Sequence, residues 1–197
     1  MKFYWKDDKG KRFGSIQNLK GHLNSNNKEL VFATNGGMYA SDGSPQGLYI
    51  EKRKLIKKLD AKTDGYGNFY LQPNGVFFLS KNREAYIKPT NQIKIKNILY
   101  ATQSGPMLLI DGMYNKHLKK GSKNLHIRNG VGILPNGNVI FVISIEKTNF
   151  YDLATLFYQK GCKNALYLDG FVSRTYLPGK NWEQLDGSFG VIIAESK

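Results

Sequence analysis

The sequence predicts a single-domain α+β protein with a large, mostly antiparallel or mixed sheet, several hairpins and about two helices. Pro-Asn-Gly occurs between β-rich runs at 73–75 and again at 135–137, and Asn-Gly in this setting is a strong hairpin signal. Two other segments, 15–24 and 150–160, space their apolar residues as helices do. No linker or shift in composition divides the 197 residues, so we expect one domain over 1–197 with its core in 30–194.

The N-terminal half begins with a polar and aromatic stretch, 1–14, which predicts an edge strand and a turn. Ser15 is the expected N-cap of the first helix, which ends near Asn24. A short buried strand follows at 30–34, and two hairpins are predicted at 48–59 and at 69–79. The second of these hairpins would turn on the first Pro-Asn-Gly.

The C-terminal half continues with strands at 98–102 and 107–110 and a hairpin at 133–145 that turns on the second Pro-Asn-Gly. The second helix is expected at 150–160, with Asn149 as its N-cap and Gly161 just beyond its end. Strands at 165–168 and 189–194 complete the predicted domain.

The net charge of +14 raises the question of a polyanionic partner. The lysines are spread along the chain without regular aromatic interleaving, so we interpret most of them as a solvated surface, and nucleic-acid binding is the weakest of our hypotheses. The single cysteine, Cys162, excludes a disulfide framework and a multi-cysteine zinc site. We see neither a signal peptide nor a membrane span, which predicts a soluble protein, cytoplasmic by default and exported if the chain is a trimmed mature form.

Four predicted strand ends share one pattern, a polar residue beside glycine. Glycine lets the backbone approach a ligand closely, although each of these sequences is also typical of a simple turn. If the four ends converge, they bring an amide, a hydroxyl, a guanidinium and a carboxylate to one pocket. They are Asn35-Gly36-Gly37, Gln103-Ser104-Gly105, Arg128-Asn129-Gly130 and Asp169-Gly170.

The side chains at these ends suit particular chemistry. The planar fork of Arg128 matches a phosphate or carboxylate. Asp169 could be a nucleophile or a general acid or base. Glycosidic hydrolysis typically needs a second carboxylate, for which the candidates are Glu146, Asp152 and Asp42, although Asp152 could equally serve the N-terminus of its helix. The histidines, at positions 22, 117 and 126, lack metal-ligand spacing.

Five sequence blocks, taken in order, resemble the phosphodiester glycosidase family, and they span most of residues 30–193. The resemblance implies a hydrolase in which Asp169 is catalytic and Ser173 keeps a site position. In the family the final block usually reads LDGG, whereas here Phe171 to Arg174 follow Asp169-Gly170, a form similar to a bacterial subgroup, so we expect a reshaped pocket. The blocks are ATNGGMY (33–39), QSGPMLL (103–109), RNGVGI (128–133), NFYDLATLF (149–157) and NALYLDGFVSRTYLP (164–178).

The first functional hypothesis is a hydrolase that cleaves the glycosidic bond of a sugar-1-phosphodiester or nucleotide-linked sugar, with Arg128 holding the phosphate. The alternative is a non-catalytic module of the same fold that binds a nucleotide or phosphoglycan. No cofactor is expected, and the sequence leaves open a divalent cation, the sugar and the oligomeric state. The predicted catalytic residues are Asp169, Glu146 and Asp152. The predicted substrate-binding residues are Asn35, Gly36, Gly37, Gln103, Ser104, Gly105, Arg128, Asn129, Gly170, Ser173 and Arg174.

Overall fold

The computed structural model describes residues 1–169 and 172–197, so the predicted site residue Gly170 and its neighbour Phe171 lie outside the described residues. Two α-helices occur in the described part, α1 (Ile16–Asn24) and α2 (Phe150–Gln159). Short 3-10 helices cover Asn68–Tyr70, Thr90–Gln92 and Pro178–Lys180. The strands are β1 (Lys2–Tyr4), β2 (Leu30–Asn35), β3 (Tyr49–Glu51), β4 (Lys54–Lys57), β5 (Gly75–Ser80), β6 (Ala85–Pro89), β7 (Ile98–Ser104), β8 (Met107–Ile110), β9 (Met113–Tyr114), β10 (Asn129–Ile133), β11 (Val139–Ile143), β12 (Asn164–Tyr167), β13 (Thr175–Leu177), β14 (Trp182–Glu183) and β15 (Ile192–Ser196).

The described strands form three five-stranded sheets, and each described pairing is antiparallel. Sheet A has the order β1-β15-β2-β13-β14, sheet B the order β4-β3-β7-β5-β6, and sheet C the order β11-β10-β12-β8-β9. The predicted α+β class is confirmed, and the strands divide among three sheets where the sequence suggested one large sheet.

The central core lies where the three sheets meet. Phe3 and Ile193 from sheet A, Phe77 from sheet B, and Val131 and Leu166 from sheet C belong to one buried cluster. Helix α1 packs on sheet A through a second cluster, and α2 packs on sheet C through a third. The strand ends that carry polar residues are therefore held between packed layers.

Both helices begin where the sequence predicts. Ser15 accepts a hydrogen bond from Asn18 N, and Asn149 accepts one from Asp152 N, so each cap side chain satisfies a backbone donor that the helix leaves unpaired. Ile16, Leu19 and Leu23 are the buried residues of α1. No helix in the part of the chain that the structure describes is long and apolar enough to cross a membrane.

The two Pro-Asn-Gly sequences behave differently. The one at 135–137 turns between β10 and β11 as predicted. The hairpin predicted at 69–79 is wrong, because Asn74 is buried, where its side chain donates to Phe69 O at 3.1 Å and accepts a hydrogen bond from Thr90. Strand β5 starts at Gly75 and pairs instead with β6 and β7. A buried asparagine is satisfied here by tertiary contacts, which outweigh its local turn preference.

Replacement by alanine should lower the stability of the protein at Gly132 and raise it at Gly21. A Cβ atom at Gly132 would lie 2.6 Å from Phe157 Cδ1 and 2.8 Å from Cys162 Sγ. We expect Gly132→Ala to lower the free energy of unfolding by about 1–3 kcal/mol through overpacking. Gly21 lies inside α1 with no atom within 4 Å of such a Cβ. Gly21→Ala should therefore stabilise the protein by about 0.5–1 kcal/mol.

Urea unfolding of both variants measures these changes. Equal midpoints for Gly132→Ala and wild type would contradict the close packing of α2 on β10.

Candidate active site

Two buried asparagines join sheet A to sheet C at the candidate site. Asn35 ends β2 and Asn129 begins β10, and each is 1% exposed. Asn129 Nδ2 donates to Asn35 O at 3.0 Å, to Asn35 Oδ1 at 3.1 Å and to Thr34 Oγ1 at 3.1 Å. A buried amide is costly unless its hydrogen bonds are made, so this pair fixes the relative position of the two strand ends.

The same two amides hold the segment that carries Asp169. Asp169 N donates to Asn129 Oδ1 at 3.0 Å, and Asp169 O accepts from Asn35 Nδ2 at 3.0 Å. Ser173 Oγ donates to Asp169 O at 2.7 Å and to Asn129 Oδ1 at 3.3 Å, and Arg174 N donates to Asn35 Oδ1 at 2.9 Å. The structure thus brings together five of the predicted positions, namely Asn35, Asn129, Asp169, Ser173 and Arg174.

Asp169 follows β12 and is 9% exposed. Gly130 pairs with Tyr167, and Leu168 N donates to Asn129 O, so the pairing with β10 continues to Leu168, the residue before Asp169. Residues that face each other in an antiparallel pair direct their side chains to the same side of the sheet. If the register of β10 and β12 continues beyond the strands, Arg128 and Asp169 would lie on one side of sheet C.

Arg128 has no exposed area, and its guanidinium is held on several sides. Nε donates to Thr148 O at 2.8 Å, and Nη2 donates to Asn124 O and Oδ1, both at 3.0 Å. The carbon at the centre of the guanidinium lies 3.8 Å from the ring centre of Phe150 and 5.3 Å from that of Tyr167. Burial lowers the pKa of Arg128 from its ordinary value, and Tyr167 partly offsets this effect.

One nitrogen of that guanidinium differs from the other two. Nη1 is buried and makes no hydrogen bond with the residues that the structure describes. A buried donor of this kind is costly, and such donors in native proteins often have a functional role. Nη1 is therefore the nitrogen through which Arg128 could act on an anion.

The predicted site residues of β7 serve the scaffold. Gln103 Oε1 accepts from Leu48 N at 2.8 Å and from Asp60 N at 3.0 Å, and its Nε2 donates to Asp60 O at 2.6 Å. Ser104 Oγ donates to Leu168 O, which ties β7 to the segment before Asp169. A ligand contact for either residue stays a prediction.

The predicted glycines lie in tight packing. A Cβ at Gly36 would be 2.8 Å from Val191 Cγ1, one at Gly37 would be 2.4 Å from Gln103 O, and one at Gly105 would be 2.7 Å from Phe69 O. Close approach of protein to protein already requires glycine at these three positions. Their contact with a ligand also stays a prediction.

The Arg174 side chain is paired with Asp186. Nε lies 2.7 Å from Asp186 Oδ1 and Nη2 lies 2.8 Å from Oδ2, so the ion pair is bidentate. Nη1 of Arg174 donates to Ser173 O at 3.0 Å. The hydrogen bond from Arg174 lowers the pKa of the Asp186 carboxyl. This ion pair braces the segment that follows Asp169, and a role for Arg174 in binding substrate remains a prediction.

The candidates for a second carboxylate lie elsewhere on the surface. Glu146 and Asp152 are exposed and line a cavity of about 270 Å³ at the start of α2. Asp152 Oδ2 accepts a hydrogen bond from Asn149 Nδ2 at 2.8 Å, so this carboxylate takes part in capping α2. Asp42 lies instead in the 39–45 loop, with its Oδ1 accepting from Ser44 N at 2.9 Å. Which of them would assist Asp169 stays open.

Sequence reasoning missed Tyr39 and Arg12. Burial raises the pKa of the Tyr39 phenol, the Asp169 carboxylate raises it further, and Arg12 lowers it. Both charged groups therefore act on the Tyr39 hydroxyl, which donates to Ser188 O. Tyr39 ends the ATNGGMY block and could have been found there, whereas no local pattern marks Arg12.

Among the residues that the structure describes, no group of three or more His, Cys, Asp or Glu side chains is placed to hold a metal ion.

The amide of Asn129 should matter for both stability and activity. Asn129→Ala leaves the buried groups of Asn35 and Asp169 without partners, so we expect the free energy of unfolding to fall by about 3–5 kcal/mol. Asn91→Ala, at an exposed position, is the control and should change it little. Chemical denaturation measures both, and a loss below 1 kcal/mol for Asn129→Ala would contradict the bridging role.

The Arg174–Asp186 pair should stabilise the fold in a pH-dependent way. Because the folded-state pKa of Asp186 is lowered, its contribution is present above the unfolded pKa and is lost as the pH falls through the folded pKa. The pair is partly exposed, so Asp186→Asn should cost only about 0.5 kcal/mol at neutral pH.

Unfolding curves of wild type and Asp186→Asn should converge in acid, while Asp64→Asn, which removes an exposed carboxylate, should show no such convergence. A difference that persists unchanged in acid would show that the ion pair is not its source.

Comparisons with known proteins identify the family of the chain. A family model described as phosphodiester glycosidase matches residues 28–189. The uncharacterized protein YigE of Escherichia coli (strain K12) is 37% identical over 182 residues, which cover 91% of this chain and 70% of YigE.

Two solved structures share the fold at 15% sequence identity. The catalytic domain of zebrafish N-acetylglucosamine-1-phosphodiester alpha-N-acetylglucosaminidase, auto-inhibited by its pro-peptide, matches with a TM-score of 0.64 over 94% of this chain and 68% of that chain. A hypothetical protein from Synechocystis matches with a TM-score of 0.59 over 98% of this chain and 56% of that chain. The family match and the relation to YigE confirm the resemblance seen in the sequence, and the chain belongs to the phosphodiester glycosidase family.

Proposed function

We propose that this chain hydrolyses the glycosidic bond of a sugar-1-phosphodiester or nucleotide-linked sugar, with Asp169 as the catalytic carboxylate. Family membership supports a glycosidase-type hydrolase. The role of Asp169 is supported by its position directly after β12, where the buried side chains of Asn35 and Asn129 bind its main chain.

In the proposed reaction, the bond between the anomeric carbon and the phosphate oxygen breaks, and its electron pair stays on that oxygen. Water supplies the hydroxyl of the free sugar, and its remaining proton passes to the carboxylate or to solvent. Asp169 acts either as the base that activates this water or as a nucleophile whose glycosyl ester water then hydrolyses. The leaving group is already a stable anion, so a strong general acid is not required.

Arg128 is proposed to hold the phosphate through Nη1. Nε and Nη2 already donate to Thr148 and Asn124, which leaves Nη1 for an anion. A direct contact requires a path to Nη1, because the side chain has no exposed area. Short of contact, the charge still acts on a developing phosphate anion across a region of low dielectric.

Binding without hydrolysis is the second candidate function. It is favoured by the location of Glu146 and Asp152, which lie in an exposed cavity at the start of α2 and not in the hydrogen-bond network around Asp169. A nucleotide or phosphoglycan held by this network would then leave the protein unchanged.

We expect wild-type protein to release free sugar from at least one member of a panel of sugar 1-phosphate methyl diesters and nucleotide sugars, followed by mass spectrometry. Asp169→Asn should lower the rate by about 100- to 10,000-fold, which is the usual contribution of a positioned acid, base or nucleophile.

Asp64→Asn is the matched control, an Asp-to-Asn change at an exposed position, and thermal melting shows whether each variant is folded. Wild-type turnover by a folded Asp169→Asn variant would overturn the role of Asp169. Ligand that binds and is recovered intact after long incubation with wild type would favour the binding function.

A further inference from the structure

Arg12 reaches the candidate site from the N-terminal segment. It pairs with Lys6 in an isolated β-bridge, and its side chain is half-buried. A Cβ built on Gly43 would fall 1.4 Å from Arg12 Nη1, and one built on Gly14 would be 3.6 Å from Arg12 Nε. The guanidinium thus occupies the space that a side chain at position 43 would need.

Gly43 belongs to the 39–45 loop, which follows Asn35-Gly36-Gly37 directly. The loop is closed by the bridge between Tyr39 and Pro45 and by a hydrogen bond of 2.8 Å from Ala40 N to Ser44 O. Trp5 Nε1 donates to Gly43 O at 3.0 Å, so the N-terminal segment is fastened to the loop. The Arg12 side chain packs against Gly43 of the same loop.

Tyr39 connects Arg12 with Asp169. The 39–45 loop leads away from Asn35, whose side chain binds the main chain of Asp169, and Tyr39 is the first residue of that loop. The charges of Asp169 and Arg12 both act on the pKa of the Tyr39 phenol, and because the two charges are opposite they shift it in opposite directions. Arg12 packs on Gly43 of this same loop, and we call the side of the site formed by the loop its rim.

The three arginines near this site differ in how many of their donors are engaged. Arg128 donates from Nε and Nη2 to Thr148 and Asn124, and Arg174 is paired with Asp186. Arg12 makes no hydrogen bond or ion pair with any other residue in 1–169 and 172–197. Its five N–H donors form a planar fork suited to two phosphate oxygens.

We infer that Arg12 is a substrate-binding residue that contacts the phosphate oxygens of the phosphodiester at the rim of the site. This inference rests on the proposed function for the identity of the anion. Residue 12 lies before the segment 28–189 that matches the family model. Arg12 then helps to select substrates by their phosphodiester while Asp169 acts on the sugar.

The test compares Arg12→Gln, which removes the charge, with Arg12→Lys, which keeps the charge but loses the fork. Binding of sugar 1-phosphate methyl diesters is measured by calorimetry in the Asp169→Asn background, and KM and kcat are measured with Asp169 intact. We expect Arg12→Gln to raise Kd and KM by about tenfold with a smaller change in kcat, and Arg12→Lys to recover part of the loss.

Arg53→Gln is the charge-matched control, since Arg53 is exposed on the turn between β3 and β4. It should leave Kd and KM unchanged, because it lowers the net charge equally without altering the rim. Thermal melting should place Arg12→Gln close to wild type, since the side chain makes no hydrogen bond within the described protein.

Gly43→Ala tests the role of the Arg12 guanidinium without replacing residue 12. The new methyl group would take the position of Arg12 Nη1 and displace the guanidinium. Gly112→Ala controls for backbone strain, because Gly112 has a φ of +84° against +74° at Gly43, and no atom lies within 4 Å of its Cβ position. Gly43→Ala should weaken binding in wild type and have no further effect on binding in Arg12→Gln.

The outcomes separate this inference from the proposed function. Hydrolysis with unchanged KM and Kd in Arg12→Gln would overturn the role of Arg12 and leave the hydrolase proposal standing. Binding that weakens in Arg12→Gln without any hydrolysis by wild type would support Arg12 and overturn the hydrolase proposal. Failure of wild type to bind any of the methyl diesters would overturn the inference as well.

Discussion

The bridge between Asn35 and Asn129 is the interaction on which the rest of the site depends. Two amides that together are nearly inaccessible to water join the end of β2 in sheet A to the start of β10 in sheet C. Their remaining hydrogen-bonding capacity goes to Asp169 and Arg174. A buried polar network of this kind is stable only when nearly all of its members are satisfied, so the sheets, the asparagines and the segment after β12 are placed together or not at all.

Charge in this protein is used in three distinct ways around one carboxylate. The Arg128 guanidinium packs against the rings of Phe150 and Tyr167, and Arg174 is paired with Asp186. The Arg12 side chain makes no hydrogen bond or ion pair with the residues that the structure describes. The overall charge of +14 would draw an anionic substrate toward the surface without selecting it. Under the proposed function, selection of the substrate would depend on the few cations whose donors are not already engaged by protein groups.

The sequence predicts local structure well where neighbouring residues determine it. Ser15 and Asn149 cap their helices as expected, and the glycine-flanked polar ends of β2, β10 and β12 meet. Prediction from the sequence fails where a distant residue determines the contacts of a side chain. The contacts of Asn74 with Phe69 and Thr90 override its turn signal, and Gln103 binds the backbone of Asp60. Arg12 could not be found at all, since its position depends on packing against Gly43 and not on any pattern around residue 12.

The main chain at Asp169 is fixed through its own N–H and C=O groups, which bind the side chains of Asn129 and Asn35. The side chains of Asn35 and Asn129 therefore determine the position of Asp169. A descendant protein could exchange the carboxylate for another group and inherit the same backbone, and with it the same surroundings. On such a scaffold, a substitution of the Asp169 side chain would change the chemistry of the position and keep the hydrogen bonds that hold its main chain.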